Sequence, residues 1–164
     1  MDSVHPTQAS KLTRAWIPRG KKQLVKTTAS RARINLCGAI NVGSLSSTLV
    51  EEYETINQDS IVDFLQKLRA SAMYDEDRCI HLILDGAGYH KAKSVLEAAE
   101  LLNIELIFLP PYSPNLNPIE RLWKVMNKHV RNNRFFGSKQ AFKSAILLFF
   151  YSLQIPYRLL PMSI

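Results

Sequence analysis

Two short apolar runs, Cys79 to Leu84 (CIHLIL) and Ile104 to Leu109 (IELIFL), have the length of strands, and one helix-patterned stretch, about Ala92 to Leu102, separates them. This alternation constrains the chain more than any other feature: it points to an α/β domain with parallel pairing in this half. The first run ends at Asp85. The second ends in Pro110-Pro111-Tyr112-Ser113-Pro114, which lost amide donors and fixed φ angles exclude from a helix and make a rigid connection. Beyond it, Asn117 as N-cap and Pro118 at the first helical position open a helix expected to reach about Asn132, and a last helix covers about Ser138 to Leu153.

The first half reads as a strand pair and a helix. Arg33 to Val42 sets Ile34, Leu36, Ile40 and Val42 on one parity, Gly43-Ser44 supplies a turn, and Ser46 to Tyr53 is the partner, so an antiparallel pair is expected. Ser60-x-x-Asp63 resembles a capping box, and Ile61, Phe64, Leu65, Leu68 and Ala72 recur at helical spacing through Met73. A chain of 164 residues that is 46% hydrophobic and 21% charged can bury the core of one ordinary domain, which excludes disordered and collagen-like classes. Its longest apolar run, Ala145 to Tyr151, is far short of the roughly 20 residues of a membrane span. No secretory leader is visible, and Cys37 and Cys79 show no C-x-x-C spacing, so a cytoplasmic protein with reduced thiols is expected.

Charge is unevenly divided. Residues 1–50 hold eight Lys or Arg against one acid, residues 51–100 five against eleven, and residues 101–164 eight against two, for balances of +7, −6 and +6. With a pI near 9.5, basic outer thirds suit a binder of phosphate backbones and equally a solvated basic surface.

Three acids stand where a chain can aim them at one point. Asp85 ends a strand, so its carboxylate emerges at the carboxyl edge of the sheet, where α/β proteins usually place their sites. Glu120 lies in the first turn of the helix after the next strand, at the same edge; the 34 residues between the two acids allow one helix and one strand. Asp2 is the third candidate. Clustered carboxylates repel, and Mg²⁺ or Mn²⁺ relieves this with oxygen coordination; two such ions can activate a nucleophile and stabilise a leaving oxygen in phosphoryl transfer. Each acid also fits a structural role: Asp85 as a turn cap, Glu120 in a capping box from Asn117, and Asp2 in a frayed terminus.

LILDGAGYHKA at 82–92 and LIFLPPYSPNLNPIERLWKVMNKHV at 106–130 resemble the second and third catalytic segments of DDE transposases of the mariner superfamily, in its bacterial insertion-sequence branch. MDSVHPT, WIPRGKK and RARINLCGAIN are similar to the first segment and the strands after it. The resemblance implies a ribonuclease H-like mixed sheet flanked by helices, with a catalytic domain over residues 1–152 and a divergent tail over 153–164. It implies that Asp2, Asp85 and Glu120 bind two Mg²⁺ or Mn²⁺ ions. The function expected is cut-and-paste transposition: phosphodiester hydrolysis at transposon ends, then strand transfer to target DNA, by a homodimer associated with a bacterial nucleoid.

His90, where the family also tends to carry histidine, fits a DNA contact, support of the metal shell or a structural hydrogen bond. Arg121, Lys124, Lys128 and Arg131 step by three, four and three along one helix face, a candidate DNA stripe. Arg14, Arg19, Lys21, Lys22, Lys26, Arg31 and Arg33, with no acid from Ser3 to Val50, form a second candidate surface beside Trp16. The chain departs from the family pattern in having no helix-turn-helix region and no strand before its first Asp. An upstream helix-turn-helix polypeptide or fused frame is therefore expected as a partner, the first strand is expected to be missing, and Asp2 to be poorly positioned. Two other readings stay open: a non-catalytic DNA-binding or dimerising fragment, and a cellular ribonuclease H-like nuclease.

Overall fold

A computed structural model describes residues 1–71, 78–111 and 113–154. Its elements are β1 (Asp2–Val4), β2 (Asn35–Asn41), β3 (Ser44–Tyr53), α1 (Gln58–Ala70), β4 (Ile80–Leu84), α2 (Lys93–Leu101), β5 (Ile104–Phe108), α3 (Ile119–Met126) and α4 (Lys139–Gln154). β1, β2 and β3 form an antiparallel sheet in that order, and β4 pairs with β5 in parallel, Ile80 opposite Ile104. The expected α/β alternation is present. The first strand is present too, which corrects the expectation that it is missing: Asp2, Ser3 and Val4 stand opposite Gly38, Cys37 and Leu36.

The sheet separates two hydrophobic clusters. Cys37 and Ala39 of β2 face Ile61, Phe64 and Leu65 of α1 together with β4, α2 and β5. Ile34 and Leu36, on the other parity, face Ile119, Trp123 and Met126 of α3 and Phe142 and Ile146 of α4. β2 is thus buried on both faces, a layered arrangement of helices, sheet and helices. Only one parity of β2 is bulky, so the sequence pattern shows one buried face, and the small residues of the second face escape notice.

Several ends differ from expectation. The N-cap of α1 is Asn57, whose side chain accepts from the Ser60 amide while Ser60 Oγ accepts from the Asn57 amide. Asp63 instead accepts from the Tyr53 hydroxyl at 2.6 Å and pairs with Lys67 at 3.0 Å, which corrects the box read from Ser60. α1 stops at Ala70, where Ser71 turns extended; part of the expected extension to Met73 lies outside the described residues. Gly88–Lys91 is a short 3₁₀ turn ahead of α2. α3 closes in a wide π turn, Asn127–Arg131, instead of running as a regular helix to Asn132. α4 continues to Gln154, across the boundary expected at residue 152, and the rest of the tail lies outside the described residues. Among the described residues, no helix is long and apolar enough to cross a membrane.

Candidate active site

Asp85 follows β4, whose Ile80, Leu82 and Leu84 are buried while His81 and Ile83 face outward. Its position is fixed locally. Oδ1 accepts from the Ala87 amide at 3.2 Å and lies 2.8 Å from Nδ1 of His90, five residues on. That ring nitrogen also lies 3.2 Å from the Asp85 carbonyl oxygen; facing two acceptors, it carries the proton. His90 is fully buried against Tyr89, and burial pushes its pKa below the ordinary 6.5 against the pull of Asp85, so the imidazole is neutral at pH 7. Of the three roles expected for His90, this burial and the contact with Asp85 favour the structural hydrogen bond: the ring lies beside Asp85 and is closed to solvent.

Asp2 is fixed from a distance. Its Oδ2 accepts from the indole N–H of Trp123 at 2.8 Å, across 121 residues of sequence, and its Oδ1 accepts from the Ser3 amide at 2.7 Å. The indole reaches this far into the sheet because Gly38, the register partner of Asp2, has no side chain. A Cβ at Gly38 would lie 2.7 Å from Cη2 of Trp123, closer than packed atoms come. Met1 is buried, its amine donating to the Ile83 carbonyl at 2.6 Å and its own carbonyl accepting from Asn117 Nδ2 at 3.0 Å. These contacts correct the expectation that Asp2 is poorly positioned.

Glu120 enters from the first turn of α3, with Asn117 and Pro118 immediately before the helix. Asn117 makes no side-chain cap there and instead turns its Nδ2 to donate to the Met1 carbonyl; this corrects the N-cap expectation. Ile119, Trp123 and Met126 are buried on the face of α3 that turns toward the sheet. Asp2, Asp85 and Glu120 then line one cavity of about 390 Å³, together with Lys91 and Asn117 and a rim from Pro110 and Pro111. Lys91 was not singled out by sequence, and Asn117 was expected there only as a helix cap. Lys91 stands only six residues after Asp85 in a segment otherwise poor in charge, a signal that could have found it.

The electrostatics of the cavity is that of crowded anions. Burial, then the charge of Asp85, raises the Asp2 pKa against the opposing hydrogen bonds from Trp123 and Ser3. Burial, then Asp2 and Asp85, raises that of Glu120 against Lys124. Carboxylates that resist ionisation together are stabilised by a multivalent cation, and the donors are hard oxygens with no sulfur among them. The cavity therefore fits Mg²⁺ or Mn²⁺.

The basic candidates divide. Lys124 and Lys128 are exposed, as are Arg19, Lys21, Lys22, Lys26 and Arg31 in the long connection between β1 and β2. Arg131 is half-buried and engaged within the protein. Its guanidinium donates to Asn127 Oδ1 and the Thr7 carbonyl and lies over the Phe142 ring, apart from the exposed stripe of Lys124 and Lys128. The physical reason is the π turn, whose wider winding rotates residue 131 off the stripe that regular α spacing extrapolates.

Residues 1–143 match the family described as DDE superfamily endonuclease. The chain belongs to that superfamily. This DDE domain is 29% identical over 120 residues to the insertion element IS630 uncharacterized 39 kDa protein of Shigella sonnei, covering 72% of this chain and 34% of that protein. It is 33% identical over 75 residues to the Tcb2 transposase of Caenorhabditis briggsae, covering 46% and 24%. The Mos1 transposase paired-end complex with left transposon end superposes with a TM-score of 0.66 at 21% identity, over 92% of this chain and 46% of that one. Mos1 has also been solved in paired-end complexes with Mn and with Mg. The likeness carries the ribonuclease H-like fold expected from the sequence. The chain's matched stretches span only 34% and 24% of these two curated relatives.

Proposed function

We propose that this chain is the catalytic portion of a cut-and-paste DNA transposase, with Asp2, Asp85 and Glu120 holding two Mg²⁺ or Mn²⁺ ions against double-stranded DNA. The observation that carries this reading is the convergence of three carboxylates from β1, the end of β4 and the start of α3 on one cavity. When bound, such ions activate the attacking nucleophile and stabilise the departing 3′-oxygen of a phosphodiester. The protein's own groups supply the rest. Trp123 and Ser3 hold Asp2 by both oxygens, His90 and the Ala87 amide hold Asp85, and Lys91 adds a cation to the cavity wall beside a scissile phosphate. Lys124 and Lys128 follow Glu120 by about one and two turns of helix, within reach of successive phosphates.

Anchoring of Asp2 removes the main reason to read the chain as a non-catalytic fragment, though the exposed basic connection suits DNA binding in either case. The superfamily match over residues 1–143 favours a transposase over a cellular ribonuclease H. Hydrolysis at transposon ends, strand transfer, a homodimer and an upstream helix-turn-helix polypeptide belong to the same proposal, as does action at the bacterial nucleoid. In a polypeptide extended to the length of the relatives, Asp85→Ala or Glu120→Ala is expected to abolish Mg²⁺-dependent cleavage of a transposon-end duplex. In the 164-residue chain each should remove the heat of Mn²⁺ binding. Near-normal nicking by either variant would take that residue out of the triad.

A further inference from the structure

The paired strands β4 and β5 bury one face and expose the other. Ile80, Leu82, Leu84 and Ile104 enter the cluster shared with α1 and α2, while His81, Ile83, Glu105 and Ile107 are exposed. In the parallel register His81 stands opposite Glu105, and its Nδ1 lies 2.6 Å from a Glu105 carboxylate oxygen. Cys79, one residue before β4 begins, is an exposed free thiol. A sulfur, an imidazole nitrogen and a carboxylate oxygen of these three residues lie within 4.8 Å of one another. Sequence spacing does not announce the group, because Cys79 and His81 come from one strand and Glu105 from the other.

The backbone beneath this group is fixed. Arg69 of α1 donates to the Arg78 carbonyl at 3.0 Å, the Leu102 carbonyl at 2.7 Å and the Asn103 carbonyl at 2.6 Å, so one guanidinium ties the entrances of both strands together. The side chains above it keep room to settle, His81 being 62% and Glu105 59% exposed. Zn²⁺ takes cysteine sulfur at about 2.3 Å and histidine nitrogen or carboxylate oxygen at about 2.0–2.2 Å, which sets tetrahedral ligands roughly 3.3–3.8 Å apart. Rotation of three exposed side chains is enough to reach that spacing. The donor set also differs in kind from the acid cavity: thiolate and imidazole suit Zn²⁺, whereas carboxylates suit Mg²⁺ and Mn²⁺. Cys79 and Asp85 stand at opposite ends of β4, roughly 20 Å apart at about 3.3 Å per residue, so the two groups cannot share an ion.

We propose that Cys79, His81 and Glu105 form a binding site for one Zn²⁺ ion, with water in the fourth position. Cys79 binds as the thiolate and gives its proton to the solvent, His81 binds through a neutral ring nitrogen, and Glu105 binds through one carboxylate oxygen. The ion clips the start of β4 to the start of β5 and, by mass action, stabilises the strand pair whose far end delivers Asp85. The inference is independent of the proposed chemistry: a domain that cut nothing would still hold this ion.

The test titrates the 164-residue chain, stripped with chelator and kept reduced with a phosphine, first with Co²⁺ as a visible probe and then with Zn²⁺. One Co²⁺ per chain is expected to give a sulfur-to-cobalt charge-transfer band together with the intense visible bands of tetrahedral cobalt, and Zn²⁺ to bleach both. Cys79→Ser should abolish the charge-transfer band, and His81→Gln and Glu105→Gln should each weaken Zn²⁺ binding by about tenfold or more. All three positions are exposed, so the variants keep the fold, which circular dichroism checks. Cys37→Ala, Asp85→Ala and Glu120→Ala should retain the band, which separates this site from the buried thiol and from the acid cavity. Zn²⁺ should raise the melting temperature of the unaltered chain and leave that of Cys79→Ser unmoved. A chain that shows no charge-transfer band at saturating Co²⁺, a band that survives Cys79→Ser, or an unchanged Zn²⁺ affinity in His81→Gln and Glu105→Gln would overturn the proposal. Half an ion per chain with a dimer in sedimentation would also overturn it, by placing the ion between two copies.

Discussion

Asp2 and Asp85 share one cavity, yet the molecule holds them by different means. Asp85 is fixed within six residues, by the Ala87 amide and by His90, and its side chain remains 52% exposed. Asp2 is fixed through Trp123, 121 positions away, and through the neighbours of a buried terminus. A locally built anchor survives disturbance elsewhere. A tertiary anchor is only as good as the packing behind it, here the contact of Gly38 with the indole and the edge-on stacking of Trp123 against Phe150 at 5.7 Å.

The largest effect is expected where this contrast is sharpest. Trp123→Ala empties a buried site in the cluster around α3 and α4 and should cost about 3–5 kcal/mol in urea unfolding. Trp123→Phe keeps most of the packing but strips Asp2 of a donor, for about 1–3 kcal/mol and a weaker Mn²⁺ heat. If Trp123→Phe leaves both unchanged, Asp2 does not depend on its tertiary anchor and the contrast fails.

Next comes pH. Burial lowers the Met1 amine from its ordinary 8.0 to about 6. In chelator, as pH falls from 8 to 6 the unfolded chain takes up a proton that the folded chain refuses, so stability should fall by about 2–3 kcal/mol. Below about pH 6 this contribution stops changing, because both states are then protonated. Acetylating the amine should remove that part of the slope, and an acetylated chain with the same pH dependence would show that the terminus does not titrate in this way.

A smaller effect is expected at the local anchor. His90→Leu removes the ring beside Asp85, but the half-exposed carboxylate can take water in its place, so the cost should stay below about 1 kcal/mol while Mn²⁺ binds several-fold more weakly. A cost as large as that of Trp123→Phe would erase the difference between the two anchors. Smallest for the fold is the pair Lys124→Gln and Lys128→Gln, within about 0.5 kcal/mol. Together they should flatten the slope of log affinity for duplex DNA against log salt by up to about 2. An unchanged slope would move the contact to Arg19, Lys21, Lys22, Lys26 and Arg31.

The same contrast governs what could be read from sequence. Asp85 was legible because its strand, its turn and its spacing to Glu120 are local patterns, and the parallel pairing of β4 with β5 followed from the helix between them. The binding of Trp123 to Asp2 was not, since no periodicity couples residues so far apart and the enabling feature is the absence of a side chain at Gly38. The basic stripe was extrapolated at regular helical spacing and was right for the exposure of Lys124 and Lys128. At Arg131, where the backbone widens, the side chain turns to partners within the protein instead of extending the stripe. His90 was noticed for its position, but only burial decides between contact and support. The first strand was expected to be missing because the family pattern places a strand ahead of its first Asp, whereas here Asp2 itself opens the three-residue β1.

The sheet that divides the interior into two clusters also divides the acids. Asp85 belongs to the side built from α1, β4, α2 and β5, Glu120 to the side built from α3 and α4, and Asp2 to a strand tied to both, by Met1 on one face and Trp123 on the other. A chain that has folded only one side holds at most two of the three carboxylates in place. Bringing all three carboxylates to one cavity therefore requires both sides of the sheet to be folded at once, so the cavity reports on the docking of every layer.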